Sequence, residues 1–180
     1  MTECKRPRKP GKRLLTPDYR FADFTEITPE LLRSLGIRAV LSDLDNTLAP
    51  YEMPDPDERI RAWVDALRAA GIRLALVSNN HADRVGFFAD ALGGIPAYPD
   101  CGKPRRKYLR IALRELGTHP NRAAVLGDQL LTDCLAARLM GMKAYIVPPI
   151  KDKTTLFFRF KRWLERPFMR KYDRLHQKEQ

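Results

Sequence analysis

Short apolar runs alternate along the chain with longer segments in which apolar residues recur every three to four positions. The runs predict buried strands, and the periodic segments predict helices that bury one face. In the segment 57–70, for example, one helical face would consist of Ile60, Trp63, Val64 and Leu67. The alternation predicts right-handed β-α-β units, and hence a parallel sheet with helices on both faces.

The bounds of the predicted elements follow from this pattern. The predicted strands are 38–43, 72–77, 95–98, 123–126 and 143–147. The predicted helices are a short one that begins at Thr28-Pro29 and ends near Gly36, and then 57–70, 82–92, 104–116 and 130–140. This is an α/β, Rossmann-like fold, in which ligands bind beyond the carboxyl ends of the strands.

Charge is spread unevenly along the 180 residues, whose net charge is +11. Residues 1–20 carry seven Lys and Arg against two acidic residues, and residues 151–180 carry ten against four. Residues 21–150 hold sixteen of each sign. We therefore expect a neutral domain at 21–150 between a basic N-terminal arm (1–20) and a basic C-terminal tail (151–180). Such segments bind polyanions, either nucleic acid or an anionic membrane.

The C-terminal tail is aromatic as well as basic. Leu156, Phe160, Trp163 and Leu164 recur at helical spacing, which predicts an amphipathic helix that ends at Pro167. Such a helix can lie in a membrane interface. Alternatively its aromatic residues pack on the protein's own sheet or on a partner chain, or the tail binds RNA. No apolar run approaches the roughly 20 residues of a spanning helix, so any membrane contact is expected to be peripheral.

The number and spacing of the cysteines indicate the cellular compartment in which the protein works. Cys4, Cys101 and Cys134 are odd in number and lack the spacing of metal ligands, so we interpret them as free thiols in a reducing compartment. The basic N-terminus is not followed by an apolar segment and is not a secretory signal. A cytoplasmic protein is expected, either free or bound peripherally to the inner face of the membrane.

Polar side chains follow the ends of four predicted strands. They are Asp43 and Asp45, then Ser78, Asn79 and Asn80, then Lys103, and then Asp128 with Asp133. A parallel sheet brings these strand ends to one edge. Taken singly, each is common in loops, turns or solvated surfaces; together, in this order, they predict phosphoryl transfer. Oxygen ligands with few nitrogens favour Mg²⁺, and Lys103 and Ser78 are expected to contact phosphoryl oxygens.

Asp43 and Asp45 suit an enzyme that attacks phosphorus with one carboxylate and transfers protons with the other. Two carboxylates so close together repel each other, and a bound cation would relieve the repulsion.

Four of these segments resemble known motifs. DLDNTL, SNN, KP and GDQLLTD are similar, in order and spacing, to the four motifs of the haloacid dehalogenase (HAD) superfamily of aspartyl-phosphate phosphatases. The resemblance covers roughly residues 20–165. The segments ITPELL, GDQLLTD and RFKRWLER resemble a narrower group, the YqeG-type phosphatases of HAD subclass IIIA. That group is similar to mitochondrial phosphatidylglycerophosphate phosphatases.

The resemblance implies the catalytic roles. Asp43 would attack phosphorus and carry the aspartyl-phosphate. Asp45 would protonate the leaving alkoxide and then deprotonate the attacking water, while its backbone carbonyl binds the metal. Lys103 would neutralise the phosphoryl charge and restrain Asp43.

The resemblance also implies the binding roles. Ser78 and Asn79 would donate hydrogen bonds to phosphoryl oxygens, and Thr47 would support the loop at the substrate. Asp128 would ligate Mg²⁺, and Asp133 would hold either the water of the metal or Lys103. The predicted metal site thus consists of Asp43, Asp45, Asp128 and Asp133.

The spacing of the motifs leaves no room for an inserted cap domain. Only 35 positions separate Asp43 from Ser78, and 25 separate Ser78 from Lys103. An open site, with at most a short flap at 51–53, suits a phosphate carried on a large object. We therefore expect a Mg²⁺-dependent phosphatase that acts on phosphatidylglycerophosphate at a membrane surface. The alternatives are a phosphatase for a soluble phosphomonoester and an RNA- or ribosome-associated protein with secondary hydrolase activity.

Overall fold

The computed structural model describes residues 14–151, together with residues 167 and 168. The basic segment 1–13 and nearly all of the predicted tail lie outside the described residues. Within the described part, six strands form one parallel sheet. They are β1 (Tyr19–Arg20), β2 (Ala39–Ser42), β3 (Arg73–Val77), β4 (Ala97–Tyr98), β5 (Ala123–Gly127) and β6 (Lys143–Ile146). Their order across the sheet is β1-β6-β5-β2-β3-β4, which confirms the predicted Rossmann-like fold.

Helices connect the strands. They are α1 (Pro29–Ser34), α2 (Glu58–Ala69), α3 (Ala82–Ala91), α4 (Lys107–Glu115) and α5 (Leu135–Met140), which a π-helical turn (Leu130–Cys134) precedes. α1 begins at the cap that the sequence predicts, where the Thr28 hydroxyl accepts a hydrogen bond from the Leu31 amide. α2 begins at a similar cap, where the Asp57 carboxylate accepts a hydrogen bond from the Ile60 amide.

Both faces of the sheet are buried, because successive side chains of a strand point to opposite sides. In β2, Val40 joins a core beneath α1, α2 and α3, and Leu41 joins a second core beneath α4 and α5. The predicted apolar face of α2 lies in the first core. The prediction of helices on both faces is therefore confirmed.

Predicted and observed bounds differ at several elements, mostly by one or two residues. α4 begins at Lys107 rather than at Pro104, because residues 102–105 form a turn in which the Arg105 amide donates to the Gly102 carbonyl. The sequence placed Tyr19–Arg20 in the basic arm, whereas these residues form an edge strand beside β6. A strand of two residues is too short to show a periodic pattern in the sequence. The pairing depends on Asp18, whose carboxylate accepts from the Ala144 amide at 2.8 Å.

The connections near the strand ends are short. Residues 43–72 contain α2 and loops, and residues 78–103 contain α3, β4 and loops, so no domain is inserted at either point. In the part of the chain that the structure describes, no helix is both long enough and apolar enough to cross a bilayer.

Candidate active site

The carboxyl ends of β2, β3 and β5 lie side by side at the centre of the sheet. Ser42 is in register with Leu76 of β3 and with Leu126 of β5. Asp43, the next residue, donates its backbone amide to the Leu126 carbonyl at 2.8 Å. The first residues beyond the three strands, Asp43, Ser78 and Asp128, therefore reach the same edge, as the sequence predicts.

Lys103 enters this edge from the loop between β4 and α4 and lies between two carboxylates. Its ammonium is 2.9 Å from Asp43 Oδ1 and 2.6 Å from Asp133 Oδ1, and its side chain is 1% exposed. Burial lowers the pKa of Lys103, but the charges of Asp133 and Asp43 outweigh this effect and raise it. The ammonium is therefore a permanent positive charge that restrains Asp43.

A group of three carboxylates could hold a metal ion. Asp43, Asp128 and Asp133 are all buried, and each offers an oxygen that lies within 4.8 Å of the other two. Burial raises the pKa of Asp128 to about 8, and the charges of Asp133 and Asp43 add to the effect. Burial also raises the pKa of Asp43 to about 6, although Lys103 offsets part of this shift.

Three carboxylates against the one ammonium of Lys103 leave this cluster with a net charge of −2 when all four groups are ionised. Gln129, the neighbour of Asp128, brings only a neutral amide, 3.4 Å from Asp128 Oδ1. Hard, buried oxygens with an excess of negative charge fit a divalent cation such as Mg²⁺. The residues present therefore fit the metal that the sequence predicts.

Asp45 faces a different set of partners. Its Oδ1 accepts a hydrogen bond from Arg84 Nε at 2.8 Å, and its Oδ2 accepts one from Asn80 Nδ2 at 2.8 Å. The side chain is buried and is not part of the three-carboxylate group. The predicted metal ligand of Asp45 is its backbone carbonyl, so its carboxylate is not needed as a ligand.

The remaining predicted residues line the same edge. The Ser78 hydroxyl accepts from the Asn80 amide at 3.1 Å. The Asn79 side chain holds the backbone of Lys103: its Oδ1 accepts from the Lys103 amide at 2.7 Å, and its Nδ2 donates to the Lys103 carbonyl. Thr47 is buried, and its hydroxyl has no hydrogen-bond partner among the described residues.

Sequence reasoning missed Arg84, and it gave Asn80 no role. Arg84 is in the first turn of α3, directly after the polar end of β3. A helix that starts at a strand end keeps its first turn at that edge of the sheet, so position 84 was within reach of the site. The sequence carried no signal that distinguished Arg84 from the other arginines. Among those that the structure describes, most side chains are exposed.

The family of haloacid dehalogenase-like hydrolases matches residues 20–141, and the chain belongs to this family. It is 34% identical, over 155 residues, to the Probable phosphatase YqeG of Bacillus subtilis (strain 168), a match that covers 86% of this chain and 90% of that protein. The resemblance stated from the motifs is thereby confirmed, and the chain is an enzyme of the HAD phosphatase type.

One solved structure has the same fold, and a second aligns with most of this chain. An uncharacterized protein from Listeria monocytogenes serotype 4b has a TM-score of 0.51 at 17% identity, over 66% of this chain and 85% of that one. The 3-deoxy-D-manno-octulosonate 8-phosphate phosphatase from Moraxella catarrhalis has a TM-score of 0.49 at 18% identity, over 84% and 98%.

Proposed function

We propose that this enzyme hydrolyses phosphomonoesters through an aspartyl-phosphate on Asp43, in a reaction that needs Mg²⁺. The observation that carries the proposal is the imbalance of buried charge at this edge, where the described residues bring three carboxylates against the ammonium of Lys103. A phosphate ester brings further negative charge to this edge, and a divalent cation bound there would neutralise part of it.

In the first step, an Asp43 oxygen would form a bond to phosphorus while the bond between phosphorus and the substrate oxygen breaks. The backbone at Asp43 is well held, because its carbonyl accepts from the Ser42 hydroxyl at 2.7 Å and its amide donates to Leu126. Asp45 would give its proton to the departing oxygen. The alcohol then leaves, and the phosphoryl group stays on Asp43.

In the second step, Asp45 would take a proton from a water molecule, and the oxygen of that water would bond to phosphorus. The bond between phosphorus and Asp43 breaks, inorganic phosphate leaves, and Asp43 returns as a carboxylate. Asp45 thus acts as an acid and then as a base, and its proton balance closes over one turnover.

The other residues of the site would bind the phosphoryl group and the metal, or hold the residues that do. Lys103 and Ser78 would donate to phosphoryl oxygens, while Asn79 holds the Lys103 backbone and Thr47 supports the loop. Asp43, the Asp45 carbonyl and Asp128 would hold Mg²⁺. Asp133, which accepts from Lys103, Thr132 and Gln129, would serve the metal chiefly by fixing Lys103.

A phosphate-release assay tests the proposal. The substrates are a phospholipid phosphomonoester, a lysophospholipid phosphomonoester, sugar phosphates and nucleotides, each with Mg²⁺ and with a chelator. We expect Asp43→Asn to abolish release and to leave the fold intact, and chelation to stop the wild-type reaction until Mg²⁺ is restored. Asp55→Asn, at an exposed carboxylate outside the site, is the matched control. Activity above a tenth of wild type in Asp43→Asn would contradict the covalent route.

We propose further that the phosphate is presented on a lipid, as in phosphatidylglycerophosphate, at an anionic membrane surface. The short connections between 43 and 103 leave the site open to a bulky substrate. The start of the basic tail lies beside the site, because the Ile150 amide donates to the Asn46 carbonyl at 3.1 Å and Lys151 pairs with Glu52 of the flap at 3.1 Å. The proposal includes the division of the chain into a basic arm (1–20), a phosphatase domain (21–150) and a basic tail (151–180) that contacts the membrane.

Flotation with anionic liposomes tests the membrane part. We expect the full chain to float at low salt and less at high salt, because each basic residue near an anionic leaflet contributes about 1 kcal/mol. A chain that ends at Lys151 should stay in the dense fraction. Failure of the full chain to float at any salt concentration would favour a soluble phosphomonoester. Selective retention of the full chain by RNA would favour the RNA- or ribosome-associated alternative.

A further inference from the structure

Arg84 joins two parts of the site, the Asp45 carboxylate and the flap. Its Nε donates to Asp45 Oδ1 at 2.8 Å, its Nη1 to the Met53 carbonyl at 2.7 Å, and its Nη2 to the Pro50 carbonyl at 2.9 Å. One guanidinium thus uses all three nitrogens to connect the Asp45 carboxylate with the flap (51–53) and with Pro50, the residue just before it.

The guanidinium is itself held in place. The Arg84 side chain is 19% exposed, and its guanidinium carbon lies 5.7 Å from the centre of the Phe88 ring in the next turn of α3. A planar fork that is fixed by packing loses little freedom when it forms several hydrogen bonds.

The Asp45 carboxylate is fixed at both oxygens, since Asn80 Nδ2 donates to Oδ2 at 2.8 Å while Arg84 Nε donates to Oδ1. Two donors on two different oxygens set the plane of the carboxylate as well as its position. Proton transfer is steep in distance and angle, so this orientation decides whether Asp45 can reach the departing oxygen.

We propose that Arg84 is a positioning residue for the reaction: it orients the Asp45 carboxylate and ties it to the flap, so that the proton donor and the wall of the site keep one geometry. The inference rests on the proposed function, in which Asp45 protonates the leaving group. A purely structural arginine would fasten the flap to α3 and would affect all substrates alike.

The leaving group separates these two roles. An alkyl phosphomonoester needs a proton on its departing oxygen, whereas p-nitrophenyl phosphate releases a stable anion that leaves without one. The ratio kcat/KM covers the steps up to formation of the phosphoenzyme, so it reports this requirement and excludes the later attack of water. For Arg84→Gln we expect kcat/KM to fall about 30-fold or more with the alkyl ester and less than about threefold with the aryl ester.

Two further variants make the test decisive. Arg84→Lys keeps the charge and much of the stem but cannot reach Asp45 and both carbonyls together, so we expect a smaller loss that is again larger for the alkyl ester. Arg61→Gln is the matched control. Arg61 also donates to two backbone carbonyls, those of Pro56 and Ala91, yet neither belongs to the site, and both ratios should stay near wild type. Thermal unfolding of each variant accompanies the kinetics.

The outcomes are distinguishable. A loss that is larger with the alkyl ester than with the aryl ester in Arg84→Gln or Arg84→Lys, with an intact fold, supports the inference, and the reverse order overturns it. Equal loss with both esters, or no loss, overturns it while the proposed function stands. If the wild-type enzyme with Mg²⁺ hydrolyses neither ester, the proposed function fails and takes the inference with it.

Discussion

At the scale of single residues, the missing side chain of Gly127 is as important as the charged ones. A Cβ at this position would lie 2.2 Å from Asp133 Cγ, so only glycine leaves room for the Asp133 carboxylate. Asp133 holds Lys103, and Lys103 holds Asp43. Gly127 at the end of β5 is therefore connected to Asp43 through close contacts of Asp133 and Lys103, and the first of these contacts needs a residue without a side chain.

We predict that Gly127→Ala displaces Asp133, since the clash is with atoms near the backbone of a buried residue that cannot yield easily. Overpacking of this kind lowers the free energy of unfolding by about 1–3 kcal/mol, and phosphatase activity should fall at least about 100-fold. Urea unfolding and phosphate release check the two effects.

Gly86→Ala is the control for this prediction. A Cβ at Gly86, within α3, meets nothing within 4 Å. Alanine should leave activity unchanged and should stabilise the helix by about 0.5–1 kcal/mol. Equal behaviour of the two variants would show that the close approach of Asp133 does not matter.

At the scale of elements, the sequence predicts structure best where local chemistry decides it. Thr28 and Asp57 start α1 and α2 because their side chains satisfy amides that a helix leaves free. The predicted start of α4 was wrong by three residues. There the backbone is held by a residue far away in the sequence, because the Asn79 side chain forms two hydrogen bonds with the backbone of Lys103.

The cap of α2 yields a prediction on stability. Asp57→Ala removes the acceptor for the Ile60 amide, now bound at 2.9 Å, and should lower the free energy of unfolding by about 1 kcal/mol. Asp57→Asn keeps an acceptor and should cost at most a few tenths of a kcal/mol. Urea unfolding followed by circular dichroism measures both. A loss in Asp57→Asn as large as that in Asp57→Ala would indicate that charge at the helix start, rather than the hydrogen bond, is what stabilises α2.

At the scale of the whole molecule, buried charge couples stability to pH and to metal. The pKa values of Asp128 and Asp43 are raised by burial to about 8 and about 6, from the ordinary 3.8. Through these two carboxyl groups the folded protein binds more protons than the unfolded chain between about pH 5 and about pH 8, above the range in which carboxyls with lowered pKa values, such as that of Asp23, titrate. Its stability without metal must fall as the pH rises through that window.

We predict that the melting temperature of the chelated protein falls by several degrees between about pH 5 and about pH 8. Mg²⁺ should raise it, and more at pH 8 than at pH 6, because protons compete with the cation for the same carboxylates. Differential scanning fluorimetry over both variables checks this. In Asp128→Asn, which removes one charge without changing shape, both the pH slope and the effect of Mg²⁺ should shrink. A slope of opposite sign in the wild type would contradict the electrostatic account.

The sequence by itself determined the class of fold, the helices with clear periodicity and caps, and the motif residues that meet at one edge. It did so because periodicity and capping are local, and because a parallel sheet brings its strand ends together whatever the details. Three contacts of the site became known only from the tertiary structure. They are the ion pair between Asp45 and Arg84, the hydrogen bonds of the Asn79 side chain to the Lys103 backbone, and the close approach of Asp133 to Gly127. Each depends on the distance between atoms far apart in the chain, and the spacing of residues along a sequence does not contain that distance.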